Sequence, residues 1–209
     1  MVMGQLHLYA MSIERFRDLF GKAGEEAARL RRIAEKAFPA PEAPALRMID
    51  KLGPIMRRAA SEPVIRADVP TGIELEALIS GSFVPPTRLV AAWALVLAWL
   101  DDYAERTAIV EGTTDEFSNA DFELALAGLP SQFTLSACFT HELQIPLGTP
   151  LGWHTGWQKG AAMREGAEHW AKATEEISQE NRELLADVID WFADWADDEQ
   201  DLLVAYQPG

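Results

Sequence analysis

Residues 5–11 read "QLHLYAM", a stretch in which apolar side chains alternate with polar or aromatic ones. Leu6, Leu8 and Ala10 would lie on one side of an extended chain, a pattern typical of a half-buried β-strand. The last apolar stretch, "DLLVAY" at 201–206, is also strand-like. We therefore predict that the two terminal segments, 5–10 and 201–206, lie in the same sheet.

Helical patterns follow the first strand. Ser12 can cap a helix that begins at Ile13 and ends at Gly21, because a serine hydroxyl accepts from the first backbone N–H groups of a helix. A second helix is predicted over 25–38, with an apolar face and an opposite basic face.

The middle of the chain contains the most apolar helix. A helical stretch at 45–60 is interrupted by a Gly-Pro pair, and a short helix, "IELEALIS", covers 73–80. Thr87 then caps "RLVAAWALVLAWLDDYAERT" at 88–107, which is apolar on nearly all sides for three turns. We expect this helix to be the core element around which the others pack.

The second half alternates predicted helices and strands. Ser118 or Asn119 caps a short helix, "ADFELALA", and the alternation in "QFTLSACFTHEL" at 132–143 predicts a strand. A loop at 144–156 precedes a long helical region, about 157–199, with a break near 178–181. The fold class that we predict is α+β: a mostly helical single domain, 1–209, with a small sheet that includes the N- and C-terminal strands.

The charge of the chain is unevenly distributed. Net charge is −15 overall; residues 1–69 hold 12 Lys/Arg and 9 Asp/Glu, a net of +3, whereas residues 70–209 hold 6 and 24, a net of −18. Phosphate groups would be repelled by the second part, so we expect neither a nucleic acid nor a membrane as a partner. A basic protein partner would fit this part, although acidic residues also serve solubility alone.

Two further features bear on the compartment. Cys138 is the single cysteine, which excludes an internal disulfide and suits a reducing environment. The first residues lack the pattern of a signal peptide, and the longest apolar run, 89–100, is too short to span a bilayer. We expect a cytoplasmic protein.

Three segments have a familiar layout: "MGQLHLYAMSIERFRDLFG" at 3–21, "ELEALISGSFVPPTRLVAAWALVLAWL" at 74–100 and "IDWFADWADDEQDLLVAY" at 189–206. Together they cover about a third of the chain and resemble the YfbM-like group of bacterial domains of unknown function. The resemblance implies an α+β fold with both terminal strands in one sheet. It implies no activity and no catalytic residues.

Metal-ligand residues are present without a metal-site pattern. Cys138, His141, His154 and His169 are spaced C-x2-H-x12-H-x14-H. In a strand, however, positions 138 and 141 point to opposite faces, and "HELQI" does not complete an HExxH motif. We predict no metal, no cofactor and, in particular, no zinc enzyme.

Signatures of hydrolytic or nucleotide chemistry are equally weak. No G-x-S-x-G elbow occurs, although Ser136, Cys138 and His141 are close in sequence. Glycines in "GTPLGWHTGW" lack the Lys-Ser/Thr pair of a phosphate-binding loop. We assign no catalytic residue, and we keep as an alternative a small hydrolase or transferase with a site near His141 and His154.

The stretch "LGWHTGWQKG" at 151–160 sets a histidine between two tryptophans. Its glycines allow tight turns, and Trp153 and Trp157 are large enough to anchor the segment to the core. We interpret it as a structural entry to the long helix. The alternative is a ligand pocket formed by Trp153, His154 and Trp157.

The last helix carries the clearest candidate surface. Its acidic residues fall on one face and its apolar residues on the other, with two tryptophans at the border and no Lys or Arg from Val188 onward. Like charges three or four residues apart oppose helix formation, so a cationic surface would relieve the repulsion between these carboxylates. The predicted partner-binding residues are Asp187, Asp190, Trp191, Asp194, Trp195 and Asp197; the simpler alternative is a solvated acidic face.

Three functional hypotheses follow. The first is a non-enzymatic acidic binding protein, of the immunity or antitoxin type, that inhibits a basic protein partner. The second is the hydrolase or transferase, which a pocket converging on His154 and Ser136 would favour. The third is a scaffold or homo-oligomeric structural subunit that uses a tryptophan-rich surface.

Overall fold

The computed structural model describes residues 3–39, 66, 68–193 and 200–209. The helices are α1 (Ile13–Arg17), α2 (Gly24–Ala37), α3 (Gly72–Ser80), α4 (Leu89–Tyr103), α5 (Thr114–Leu126), α6 (Gly160–Thr174), α7 (Gln179–Leu184) and α8 (Ala186–Ala193). The strands are β1 (Gly4–Ala10), β2 (Arg106–Gly112), β3 (His154–Gln158) and β4 (Leu202–Gln207). This architecture confirms the predicted α+β class.

The four strands form one antiparallel sheet in the order β2-β1-β4-β3. The terminal strands are direct neighbours, with Leu6 opposite Tyr206 and Leu8 opposite Val204. The prediction that both ends of the chain share a sheet is therefore confirmed.

Helices cover both faces of the sheet. On one face, Tyr9 and Leu203 pack with buried residues of α1 to α4. On the other face, Leu8 and Val204 pack with residues of α5, α6 and α8, among them Trp170. The central strands are thus buried on both sides, which corrects the prediction of a half-buried first strand and explains the near-continuous apolar runs.

Helix α4 is the core element that its sequence predicts. Trp93, Val96, Trp99 and Leu100 are almost fully buried, and Trp99 Nε1 donates to Leu30 O at 3.2 Å. The helix is nevertheless shorter than predicted. Among the described residues, no helix combines the length and the apolar character that a membrane crossing requires.

Several predicted boundaries are wrong. Thr87 does not cap α4, since it lies inside a 3-10 turn, Pro86–Arg88. The helix predicted over 88–107 ends at Tyr103, and the last two residues of that prediction belong to β2, Arg106–Gly112. Ser118 and Asn119 lie within α5, which Thr113 caps through a capping box with Glu116. The helix predicted over 45–60 lies outside the described residues.

Two further predictions fail between α5 and α6. The strand predicted over 132–143 is a pair of 3-10 turns, Ser131–Phe133 and Ser136–Phe139. The loop predicted over 144–156 contains the start of β3, which forms an edge of the sheet. The predicted break near Ser178 is confirmed, because its hydroxyl caps α7.

Candidate functional site

The predicted acidic surface begins on α8. Asp187 and Asp190 are exposed, as predicted. Trp191 is only 7% exposed, so it lies in the interior and not at the border of the two faces. The other predicted members, Asp194, Trp195 and Asp197, lie outside the described residues.

A basic side chain from another element lies next to this helix. Arg106 of β2 donates from Nη2 to Trp191 O at 2.7 Å, and its guanidinium carbon is 5.2 Å from the centre of the Trp191 ring. The arrangement combines a hydrogen bond with a cation–π contact. The sequence of α8 contains no Lys or Arg, but in the folded protein the guanidinium of Arg106 lies beside this helix.

An open groove of about 460 Å³ lies where α8 packs beside β2. β2 is an end strand of the sheet, and its Ile109 is 47% exposed. The groove brings together the following residues: Arg106, Thr107, Ile109, Asp187, Asp190 and Trp191. Two of the predicted acidic residues thus border a concave surface that also exposes an apolar side chain.

Asp201 continues the acidic sequence, but its carboxylate has a structural role. Oδ2 accepts from the backbone N–H of Ile13 at 2.9 Å, and Oδ1 accepts from that of Gly160 at 3.2 Å. Both N–H groups belong to the first residues of helices, which have no partner inside their own helix. One side chain at the start of β4 therefore joins the N-termini of α1 and α6.

The "GWHTGW" stretch, 152–157, comprises the two residues before β3 and the first four residues of that strand. Since side chains alternate along a strand, Trp153 and Trp157 lie on the side opposite to His154. Trp153 is buried against Trp93, with ring centres 6.1 Å apart. The three residues of the predicted pocket are therefore divided between the two faces of the sheet.

Trp157 has its own neighbours on that face. Its Nε1 donates to Glu142 O at 3.1 Å, and Arg17 lies over its ring at 5.5 Å. A groove of about 410 Å³ along β3 is bordered by Trp153 and His154. Trp157 does not line that groove. The indoles of Trp153 and Trp157 instead attach the stretch 151–160 to the rest of the protein, through Trp93 and Glu142 O.

A second concave region lies on the opposite face, between the sheet and α5. This cleft has a volume of about 270 Å³. Leu6, Tyr206 and His154 lie side by side across β1, β4 and β3 in the strand register. Residues of α5 and of the second 3-10 turn complete the lining, among them Phe117, Asp121, Ser136 and Phe139.

Asp121 organises one side of the cleft. Its carboxylate accepts from the backbone N–H of Leu135 at 2.6 Å, from that of Ser136 at 3.1 Å and from Ser136 Oγ at 2.7 Å. These bonds hold the 3-10 turn against α5. They also explain why residues 132–143 do not extend into the strand that their alternation predicts.

The cleft therefore brings together His154 and Ser136, the pair that would favour the enzyme hypothesis. The serine hydroxyl, however, donates to Asp121, and the described contacts contain no hydrogen bond between Ser136 and a histidine. His141 does not line the cleft and lies beside Trp157, with ring centres 5.7 Å apart. The described contacts at Ser136 therefore do not include the hydrogen bond between a nucleophile and a base that nucleophilic catalysis uses.

The candidate metal ligands do not converge. Cys138 is buried, and burial, together with the charge of Asp121, raises the pKa of its thiol to about 12. His169 stacks on Phe133 with ring centres 5.6 Å apart. Within the described ranges, no three His, Cys, Asp or Glu side chains are placed to hold a metal ion. The prediction that Cys138 and His141 point to opposite faces of a strand is wrong, because neither residue lies in a strand.

The tryptophans do not form the surface that the oligomer hypothesis requires. Among the described tryptophans, only Trp157 is half-buried, and the rest are buried: Trp93, Trp99, Trp153, Trp170 and Trp191. Their indoles fill the core on both sides of the sheet. This observation removes the specific basis of the third hypothesis for the described part of the chain.

Sequence patterns did not identify the lining of the cleft. Phe117 and Asp121 come from α5 and Tyr206 comes from β4, two segments that are far apart in the sequence and meet only in the folded protein. One signal was available: Thr113 and Glu116 have the spacing of a capping box, which marks the start of α5.

Comparison with known proteins finds no matching family model, no matching curated protein and no matching solved structure.

Proposed function

We propose that the protein is a non-enzymatic acidic binding protein whose partner is a basic protein, as for inhibitors of the immunity or antitoxin type. The observation that carries the proposal is the groove between β2 and α8, which Asp187 and Asp190 border. Both carboxylates are exposed and stand on a part of the chain, 70–209, with a net charge of −18. Such a field attracts cationic surfaces and raises association rates.

The shape of the groove supports an extended segment of the partner as the element that docks. β2 is an end strand, and end strands can accept a further strand through main-chain hydrogen bonds. A segment lying along β2 would place its side chains beside Ile109 and near the carboxylates of α8. Lysine or arginine side chains would meet the carboxylates, and an apolar side chain would cover Ile109.

Trp191 contributes differently from what its sequence position predicts. Because its ring is buried and packs against Phe192 with ring centres 5.6 Å apart, it shapes the groove from below. Arg106 is held against it. Substitution of Trp191 would therefore disturb the fold, and the exposed carboxylates are the better residues for a test.

The test uses two matched double variants. Asp187→Asn with Asp190→Asn removes two charges at the groove, and Glu165→Gln with Glu168→Gln removes two exposed charges at the same spacing on α6. Basic proteins are captured from native lysate with the wild-type chain, and the association rate of the captured protein is then measured at low salt. We expect the first variant to slow association about three- to tenfold and the second to change it much less.

Two outcomes would contradict the proposal. One is an association rate that the two variants lower equally, because the groove would then have no special role. The other is a captured partner whose binding does not weaken as salt rises above about 0.15 M, since exposed charges are screened there.

A further inference from the structure

We propose that the cleft between α5 and the sheet binds a small organic cation, such as a quaternary or tertiary amine. This site is separate from the groove beside α8 and does not depend on the proposed docking of a protein. It rests on three features of the described residues that line the cleft: a continuous series of aromatic rings, a carboxylate, and the absence among them of basic side chains other than one imidazole.

Four rings follow one another along the cleft. Phe117 lies 5.8 Å from Tyr206, Tyr206 lies 6.3 Å from His154, and His154 lies 5.9 Å from Phe139, measured between ring centres. All four line the same cavity. The faces and edges of these rings offer a polarisable apolar surface on which a methylated or aromatic cation can lie.

Hydrogen bonds hold parts of this surface in place. Tyr206 Oη and Thr114 Oγ1 are 3.0 Å apart, which links β4 to the start of α5. Asp121 holds the turn that carries Phe139 through its bonds to Leu135 and Ser136. The rings are thus supported by contacts that do not need a ligand, as expected of a preformed pocket.

The charge of the cleft favours a cation. Asp121 is the acidic residue of the lining, and no Lys or Arg is found among the described residues that line it. An anion would find a carboxylate and no basic partner other than the His154 imidazole. A neutral ligand would gain the apolar contacts but not the attraction to the carboxylate and the rings.

The volume restricts the size of the ligand. About 270 Å³ is near the lower end of ligand pockets, which are roughly 300–1,000 Å³. A free amine with a compact apolar body fits this range. The same chemistry occurs in a lipid headgroup, but there the attached phosphate would meet Asp121.

The test compares three probes on the purified full chain by calorimetry and by amide chemical shifts in NMR. Choline is the cation; its neutral isostere carries a tert-butyl group instead of the trimethylammonium group; phosphocholine adds a phosphate. We expect saturable binding of choline, with shifts at Leu135, Ser136 and Tyr206, and binding of the other two probes that is about three- to fivefold weaker or worse. Equal binding of choline and its neutral isostere, or tighter binding of phosphocholine, would overturn the proposal.

Matched variants locate the site. Ser118 is exposed and lines the cleft, whereas its neighbour Asn119 is exposed and does not. Ser118→Phe should fill the cleft and weaken choline binding about tenfold or more, and Asn119→Phe should leave it unchanged. Unchanged binding in Ser118→Phe would place the cation elsewhere and overturn the assignment.

A further variant separates charge from shape. Asp121→Asn should weaken binding of choline but not of its neutral isostere. If this variant loses its native circular dichroism, the comparison of probes on the wild-type chain still decides the proposal. Choline that fails to bind the wild-type chain at millimolar concentrations would also refute it.

Discussion

At the scale of single residues, Gly156 has a role that its place in a glycine-rich stretch does not reveal. It lies in β3, where the backbone of the second 3-10 turn crosses the strand. A Cβ atom at this position would lie 2.5 Å from Phe139 Cα. The two backbones could move apart only if β3 or the 3-10 turn were displaced. The need for glycine here comes from a close approach of two chain segments and not from a turn.

We predict that Gly156→Ala lowers the free energy of unfolding by about 1–3 kcal/mol, because it places an atom against backbone. Gly148→Ala is the control: its Cβ would meet a side-chain atom of Leu89 at 3.6 Å, an ordinary contact. Urea unfolding of both variants checks the prediction. Equal stability of the two would show that the crossing is looser than described.

His7 is the second residue with a measurable consequence. It is 6% exposed, its Nε2 has no hydrogen-bond partner among the described atoms, and its Nδ1 lies 3.4 Å from Tyr9 Oη. Burial lowers the pKa of His7 from 6.5, and the nearby charge of Asp101 opposes the shift. The folded protein therefore binds a proton at this site less readily than the unfolded chain does.

This shift predicts the sign of a pH effect. Stability contributed by the neutral imidazole should be present above pH 6.5 and should fall as the pH drops below 6.5 toward the lowered pKa of His7. In His7→Leu, the free energy of unfolding should depend less on pH between about 7 and 5 than in the wild-type chain. Urea titrations at several pH values measure this slope, and an unaltered slope would contradict the assignment.

At the scale of elements, Asp201 connects three of them. Its two carboxylate oxygens accept from the first residues of α1 and α6, and its own position immediately precedes β4. We predict that Asp201→Ala lowers the free energy of unfolding by about 2–4 kcal/mol, since two helix N-termini lose an acceptor. Asp190→Ala, on the exposed face of α8, should change it by less than about 0.5 kcal/mol.

Thermal and urea unfolding distinguish these two aspartates. A small effect of Asp201→Ala would mean that water replaces the carboxylate at both helix ends. A large effect of Asp190→Ala would mean that its carboxylate is part of the folded framework. In that case its use as a docking residue would lose support.

The elements also show which parts of the fold can be predicted from sequence. The terminal strands, α2, α3 and the core of α4 were predictable, because each has a strong apolar pattern, and Gly81 also marks the end of α3. The sequence does not reveal β2, because it begins three residues after an apolar helix and its first two residues continue the helical pattern predicted over 88–107. β3 was missed because its five residues include a glycine and take their conformation from pairing with β4.

The candidate sites were predictable only in part. Asp187 and Asp190 followed from helical periodicity, because exposure on an amphipathic helix is a local property. The burial of Trp191 and the presence of Arg106 beside it depend on β2, which sequence did not reveal. The aromatic cleft depends on the order of strands in the sheet, which no local pattern encodes.

At the scale of the whole molecule, both candidate sites adjoin the helical layer formed by α5 to α8. That layer comes from the acidic part of the chain, 70–209, with its net charge of −18. On the other side of the sheet, α1 and α2 come from the part with a net charge of +3, whereas α3 and α4 come from the acidic part. Counted over the helices alone, α1 to α4 carry a net charge of −2 and α5 to α8 a net charge of −7. A cationic partner should therefore approach the layer of α5 to α8, and its association should slow as salt increases.

Hydrogen exchange in the complex tests the proposed docking most directly. The captured basic protein is added to the wild-type chain, and amide exchange is followed peptide by peptide with and without it. If an extended segment docks in the groove, exchange should slow in β2, residues 106–112, and in α8, residues 186–193. Protection confined to other peptides, with β2 and α8 unchanged, would contradict the central claim that the groove bordered by Asp187 and Asp190 is the binding surface.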